Sequence, residues 1–196
     1  MAKGSNDPIQ LFSEWFEEAK NKEDSLPEAV ALATAGLDLM PHVRMVLLKD
    51  FDNDGFVFYT NLHSNKGLQL TENPQAALCF HWKSLDKQVR IEGSIVQVPD
   101  EDADAYFASR PRDSRIGAWA SKQSSELKSR LELEKRISRY AVKFGIGKIP
   151  RPEFWSGYCL RPQRIEFWEQ RPFRLHSRAL YSRTITDDWG RVTLFP

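Results

Sequence analysis

Cysteine is nearly missing. The chain has 196 residues and two cysteines, Cys79 and Cys159, at neither zinc nor redox spacing. Cys79 lies in the apolar run Ala76-Ala77-Leu78-Cys79-Phe80 and reads as a small core residue. A disulfide scaffold is excluded, and the chain is long enough to fold around a hydrophobic core without one. Net charge is also nearly absent, at +1, so no bulk field draws the protein onto nucleic acid or an anionic membrane. Any anion it binds must be held by a local cluster. No apolar run approaches the roughly 20 residues of a membrane span. The start, Met1-Ala2-Lys3-Gly4-Ser5, leads into acidic amphipathic sequence and lacks a signal-peptide core. The four histidines, His42, His63, His81 and His176, show no metal-ligand spacing. Gly145-Ile146-Gly147 lacks the third glycine and the preceding strand of a dinucleotide fingerprint. There is no Walker A sequence and no G-x-S-x-G. The expectation is a soluble cytoplasmic protein without metal, nucleic acid or membrane partner.

What is present is ordinary globular composition, 41% hydrophobic and 28% charged. Asp7-Pro8 starts a helix over 8–22, with Leu11, Phe12, Trp15, Phe16 and Ala19 on one face. Strands follow at Ala29–Ala35 and Val43–Leu48. Asp52-Asn53-Asp54-Gly55 is a turn signal before Phe56–Tyr59, so 43–60 reads as a hairpin. Ser64 caps a short helix that stops before Asn73-Pro74. Gln75–Trp82 and Gln88–Val98 are strands, with a parity shift at Gly93 that predicts a bulge. Helices are predicted over Asp100–Ser109 and Ser124–Phe144, with Arg110–Gln123 as the link between them. Short strands return from Trp155: Arg164–Trp168, Arg178–Arg183 and Val192–Phe195. The predicted fold is one domain over 1–196. It is a mainly antiparallel β-barrel with helices outside it, including a helical insertion over 100–144 and C-terminal strands over 155–196.

Three clusters carry possible chemistry. Arg44 and Lys49 flank an apolar strand, with Tyr59-Thr60 on the next strand and Lys66 beyond. An inward cation is costly unless paired, so either an anion pairs them or they are solvated strand ends. Their opposite parity on a flat strand means a bend or two different anions. Tyr106-Phe107-Ala108-Ser109-Arg110-Pro111-Arg112-Asp113-Ser114-Arg115, with Lys122-Gln123-Ser124 after it, reads as an anion site or as a solvated loop between helices. Arg174, His176 and Arg178 alternate, so in a strand they share one face. That arrangement calls for an anion, an electron-rich ring or open solvent.

These stretches resemble the pyridoxine/pyridoxamine 5′-phosphate oxidase family. The resemblance rests on RMVLLK (44–49), GFVFYTN (55–61), KQVRIEG (87–93), YFASRPRDSRIGAWASKQSS (106–125), PRPEFWSG (150–157), IEFW (165–168) and RLHSR (174–178). They occur in family order, and the long central block together with RLHSR is specific. The resemblance implies a split β-barrel homodimer with FMN at the subunit interface. It implies flavin contacts at Arg44, Met45, Val46, Leu47, Leu48, Lys49, Tyr59, Thr60, Asn65, Lys66, Gln88, Gln123, Ser124, Trp168 and Arg178. It implies a substrate-phosphate pocket of Lys49, Tyr106, Arg110 and Ser114, with Arg174 and His176 over the substrate ring as catalytic residues. Arg44 would then serve the flavin and Lys49 both ligands. The implied reaction oxidises the C4′ carbon of a B6 phosphate to the aldehyde, with oxygen reduced to hydrogen peroxide.

The sequence departs from the family pattern at several positions. Asn65 replaces the usual arginine before Lys66. One charge-assisted bond is worth roughly 1.5–3 kcal/mol, so FMN is expected to bind about 10- to 100-fold more weakly without compensation. Ser177 stands for Asp in R-L-H-D-R, Cys159 for a common arginine, and Thr193 begins a tail that usually reads R-L-x-P. The basic N-terminal arm of many members is absent. Two alternatives follow: a flavin or pyridoxal-phosphate carrier without turnover, and a sister split-barrel oxidase acting on another ring, as in phenazine biosynthesis.

Overall fold

The computed structural model describes residues 6–196; the reading of Met1–Ser5 lies outside them. Helix α1 (Pro8–Lys22) starts where Asp7 accepts a hydrogen bond from the Ile9 amide at 2.9 Å. Its first residue, Pro8, gives up an amide that would have lacked a helical partner. Ile9, Phe12, Phe16 and Ala19 form the buried face. Phe12 packs against Phe51, Phe56, Phe80 and Trp82 with ring centroids 4.9–6.0 Å apart, so α1 closes one side of the barrel core.

The strands are β1 (Ala29–Ala35), β2 (Pro41–Leu47), β3 (Asp50–Phe51), β4 (Phe56–Asn61), β5 (Gln75–Trp82), β6 (Lys87–Gln97), β7 (Trp155–Glu169), β8 (Ser177–Arg183) and β9 (Trp189–Thr193). They form one antiparallel sheet in the order β2-β1-β5-β6-β7-β4-β3, with β8 on β7 and β9 on β8. Strand β7 is the spine. One of its edges pairs β6 along nearly its whole length. The other pairs β4 at 155–160 and β8 at 164–169. Pro162, which has no amide to donate, sits where the second edge changes partner. There β6 shifts register between Glu92 and Gly93, and a Cβ on Gly93 would stand 2.0 Å from the Arg161 carbonyl oxygen. The expected bulge is present, and the sheet curls into the expected split barrel.

Several expectations need correction. Residues 43–60 are not a hairpin. Strand β2 pairs β1, and β4 turns back only onto the two-residue β3 through the Asp52–Gly55 turn. Buried Leu48 ends β2, so the turn signal was right and its partner strand wrong. The link 110–123 contains a helix, α4 (Arg112–Ala120), after α3 (Asp100–Ser109). Helix α5 begins at Arg130, capped by Ser129, six residues later than expected. Strand β7 is one strand of 15 residues rather than short pieces, and the last strand spans 189–193 rather than 192–195.

The face of the sheet away from the core is unusual. Strand β1 buries Val30, Leu32 and Thr34 and turns four alanines outward. Register links Met45, Ala31, Cys79, Arg90 and Glu166 across five strands. Val43 is 71% and Met45 63% exposed. An antiparallel sheet facing water carries polar residues there. A small-residue wall with exposed aliphatics beside it is a surface shaped to meet another.

Candidate functional site

The site begins at Lys66. Ser64 caps helix α2 (Asn65–Glu72) by accepting from the Gly67 amide, which sets Lys66 in the first turn, pointing inward. Lys66 is 8% exposed. Its Nζ donates to Thr60 Oγ1 at 3.1 Å, Gln123 Oε1 at 3.3 Å and Ser64 Oγ at 3.4 Å. All three partners are neutral. Burial lowers the Lys66 pKa, and the nearby Arg44 lowers it further. Arg44, on β2, is likewise held by neutral groups: Thr34 Oγ1, the Leu32 carbonyl and Gln69 Oε1. Burial lowers its pKa too. Among the described residues neither cation has a carboxylate partner, although Lys66 is buried and Arg44 half-buried, a setting that an anion would stabilise.

A cavity of about 340 Å³ opens beside them. It is lined by Met45, Val46, Leu47, Lys49, Tyr59, Thr60, Asn61, Lys66, Arg110, Ala118, Ser121, Gln123 and Trp155, with no Asp or Glu. The Tyr59 ring lies 4.0 Å from Tyr106 and 5.3 Å from Trp155, all nearly parallel. Gly157 makes room for this stack, since a Cβ there would come within 2.7 Å of the Tyr59 ring. Arg110, just past α3, lies over Trp155 at 4.8 Å, and its Nη1 is buried with no hydrogen-bond partner. Burial lowers the Arg110 pKa, while Tyr106 raises it. Arg112 donates to the Gly145 and Gly147 carbonyls, which ties α4 to the end of α5. Ser114 lies one turn before Ala118 and so shares its helix face.

The remaining predicted residues form a second patch. Gln88 is opposite Trp168, and Trp168 is opposite Arg178. The His176 ring is 4.7 Å from Trp168, and its Nδ1 accepts from the Arg171 amide at 3.3 Å. Arg174 is exposed on a 3-10 turn with Phe173 and Arg174 at φ 59° and 62°. Arg174, His176 and Arg178 therefore do not alternate along a strand, because only Arg178 lies in β8. Among the described residues, none of this second patch lines the cavity.

The structure thus gathers Met45, Val46, Leu47, Lys49, Tyr59, Thr60, Lys66, Arg110 and Gln123 at one cavity, with Tyr106 stacked on Tyr59 and Arg44 near Lys66. Lys49 lies beyond the end of β2, its amide donating to the Val57 carbonyl, so the parity conflict with Arg44 does not arise. Asn65 and Ser124 meet through the Asn65 amide and Ser124 Oγ at 3.2 Å. The Leu48 side chain is in the core, away from the cavity. Sequence reasoning missed Asn61, Ala118, Ser121 and Trp155. Asn61, Ala118, Ser121 and Trp155 all stood inside motifs already singled out, without being assigned a role; nothing in the sequence marked Gln69 as a support.

A family model described as pyridoxamine 5′-phosphate oxidase matches residues 17–144, and one described as the pyridoxine 5′-phosphate oxidase C-terminal dimerisation region matches 155–196. The chain is 56% identical over 193 residues to the pyridoxine/pyridoxamine 5′-phosphate oxidases of Brucella canis and Brucella suis, covering 98% of this chain and 95% of each relative. The crystal structure of PhzG from Burkholderia lata 383, in complex with tetrahydrophenazine-1-carboxylic acid, superposes with TM-score 0.92 at 31% identity, covering 99% of this chain and 95% of that one. A pyridoxamine 5′-phosphate oxidase-related, FMN-binding protein from Nostoc punctiforme superposes with TM-score 0.77 at 17% identity over the whole of both chains, a likeness of fold alone.

Proposed function

The chain belongs to the pyridoxamine 5′-phosphate oxidase family, and on that premise we propose that it is an FMN-dependent oxidase of B6 phosphates. Pyridoxamine 5′-phosphate, water and oxygen would give pyridoxal 5′-phosphate, ammonia and hydrogen peroxide. Pyridoxine 5′-phosphate and oxygen would give the same aldehyde and peroxide. The observation that carries this reading is a pair of cations, buried Lys66 and half-buried Arg44, hydrogen-bonded to neutral groups beside a cavity whose lining holds no carboxylate.

The residues fit the cofactor. Arg44 and Lys66 would hold its phosphate, with Thr60, Asn65, Gln123 and Ser124 around it and Met45, Val46 and Leu47 of β2, with Lys49 beyond the strand end, alongside. FMN held there would supply a two-electron oxidation at the substrate C4′ carbon. Arg110, with its unpartnered Nη1, would take the substrate phosphate with Lys49, Tyr106 and Ser114. A phosphate monoester carries about −1.5 to −2 charge near neutral pH, which these two cations largely match. Holding the phosphate fixes the ring remotely, so that binding energy becomes orientation.

The second patch completes the site from another copy. The match to a dimerisation region at 155–196 supports a homodimer. We place FMN at its interface, because the alanine wall lies between the two patches on one face of the sheet. A two-fold axis through that wall sets the first patch of one copy against Gln88, Trp168, Arg178, Arg174 and His176 of the other. Arg174 and His176 would then orient the pyridine ring and stabilise charge as hydride leaves. We read residues 1–196 as one domain, supported by β7 spanning both sheet halves, and place the protein in the cytoplasm. No helix among the described residues is long and apolar enough to cross a membrane.

The likeness to PhzG favours one second reading, an oxidase of tricyclic phenazine precursors. The presence of Arg110, Ser114, Arg174 and His176 argues for the B6 phosphates instead. Anaerobic mixing of the FMN-loaded protein with pyridoxamine 5′-phosphate tests the choice. Rapid bleaching of the flavin band is expected. Bleaching by tetrahydrophenazine-1-carboxylic acid alone would establish the second reading, and bleaching by neither would leave a carrier.

A further inference from the structure

Glu166 lies in the middle of β7 on the outward face, yet is only 5% exposed. A carboxylate so deeply placed is stable only when its oxygens are paired. Its Oε1 accepts from Arg178 Nε at 2.8 Å, and its Oε2 lies 3.6 Å from Arg90 Nη2. Arg90 is directly opposite Glu166 on β6. Arg178 is opposite Trp168, two residues along β7, which is the diagonal reach of a long side chain across neighbouring strands. The layer extends to Glu92, which Arg90 meets at 2.9 Å and Arg164 at 3.3 Å. Three arginines and two carboxylates leave one positive charge in excess.

Arg178 is fixed on two of its three nitrogens. Nε is held by Glu166, and Nη1 donates to the Phe195 carbonyl at 3.0 Å. Nη2 makes no hydrogen bond to any described residue. A guanidinium is a rigid planar fork, so anchors at two of its nitrogens set the plane and the direction of the third.

We propose that Glu166 is a positioning residue for the cofactor: braced by Arg90, it orients the Arg178 guanidinium so that Nη2 is presented to FMN across the dimer interface. The inference rests on the reading above that Arg178 touches FMN. Its content is orientation rather than charge, because the ligand-facing nitrogen is set by bonds made at the other two.

The test is a double-mutant cycle on FMN affinity, measured by quenching of flavin fluorescence on titration of apoprotein. Wild type, Glu166→Gln, Arg178→Ala and the double variant are compared, with apoprotein melting followed alongside. Replacing a charged acceptor by a neutral isostere should weaken FMN about 10-fold, and that loss should vanish in the Arg178→Ala background. An unchanged dissociation constant in Glu166→Gln, or the same loss in both backgrounds, overturns the proposal; the latter marks a general structural role. Arg178→Lys keeps the charge but loses the fork, and serves if Glu166→Gln does not fold. It should bind FMN as weakly as Arg178→Ala, and wild-type affinity there also overturns the proposal. If wild-type protein binds no FMN, the cofactor reading itself fails. Normal wild-type binding with an insensitive Glu166 removes this inference alone.

Discussion

At the residue scale, Lys66 separates function from stability. A buried cation without a carboxylate partner weakens the empty protein and strengthens the loaded one. Lys66→Met should therefore reduce FMN affinity by about 10-fold or more while leaving the apoprotein as stable as wild type or more so; fluorescence titration and apoprotein melting check the two halves. The pH dependence has a definite sign. Burial sets the folded pKa of Lys66 below its ordinary 10.5, so between the two values the unfolded chain binds more protons. The contribution of Lys66 to apoprotein stability should rise as pH climbs through that window. Tyr59, Tyr106 and Cys79, whose pKa values burial raises, oppose it at alkaline pH. The difference between wild type and Lys66→Met isolates the lysine. Arg174 touches no described partner in its own chain, so Arg174→Leu should lower turnover about 100-fold through lost substrate orientation and leave FMN affinity nearly unchanged, as stopped-flow and titration would show. Lys66 and Tyr59 were legible in the sequence as a cation and a ring beside apolar strands, and Arg110 as one of the arginines in the link between two helices. Gln69, which holds Arg44, was not, because a glutamine on a short helix has no pattern that reveals its contacts.

At the element scale, β7 carries the architecture. Its Trp155 end builds the cavity and its Trp168 end builds the second patch, with the bulge between them. Gly93→Ala would force a methyl against the Arg161 carbonyl and should destabilise the protein by ~1–3 kcal/mol, measurable by urea unfolding; an unchanged midpoint would show that the bulge relaxes freely. Helix α1, strands β1, β5 and β6, and the bulge itself were readable from periodicity and capping. Helix α4 was hidden because Asp113, Ser114 and Gly117 are weak helix formers; packing of Ile116 and Trp119 beneath α5 holds it. The false hairpin came from a correct turn signal beside an apolar strand, where sequence proximity stood in for pairing. The alternation of Arg174, His176 and Arg178 failed because Pro172 and two positive-φ residues place a turn before β8.

At the scale of the whole molecule, the proposed function requires two copies to bring the two patches into one site. Periodicity could show the alanines of β1 but not what faces them; the dimer was readable through family resemblance. Complementation gives a direct consequence. Lys66→Met and Arg178→Ala homodimers should each bind FMN poorly. Unfolding and refolding them together should restore about a quarter of the sites, because each heterodimer holds one intact and one doubly impaired site. No recovery would place both patches in one chain's site. The central claim, that the protein turns over B6 phosphates, is tested most directly by oxygen consumption with pyridoxamine 5′-phosphate, with and without added FMN. The account predicts oxygen uptake matched by equal pyridoxal 5′-phosphate and hydrogen peroxide, and stronger dependence on added FMN than arginine at position 65 would give. No uptake by the FMN-saturated protein with either B6 phosphate would contradict it.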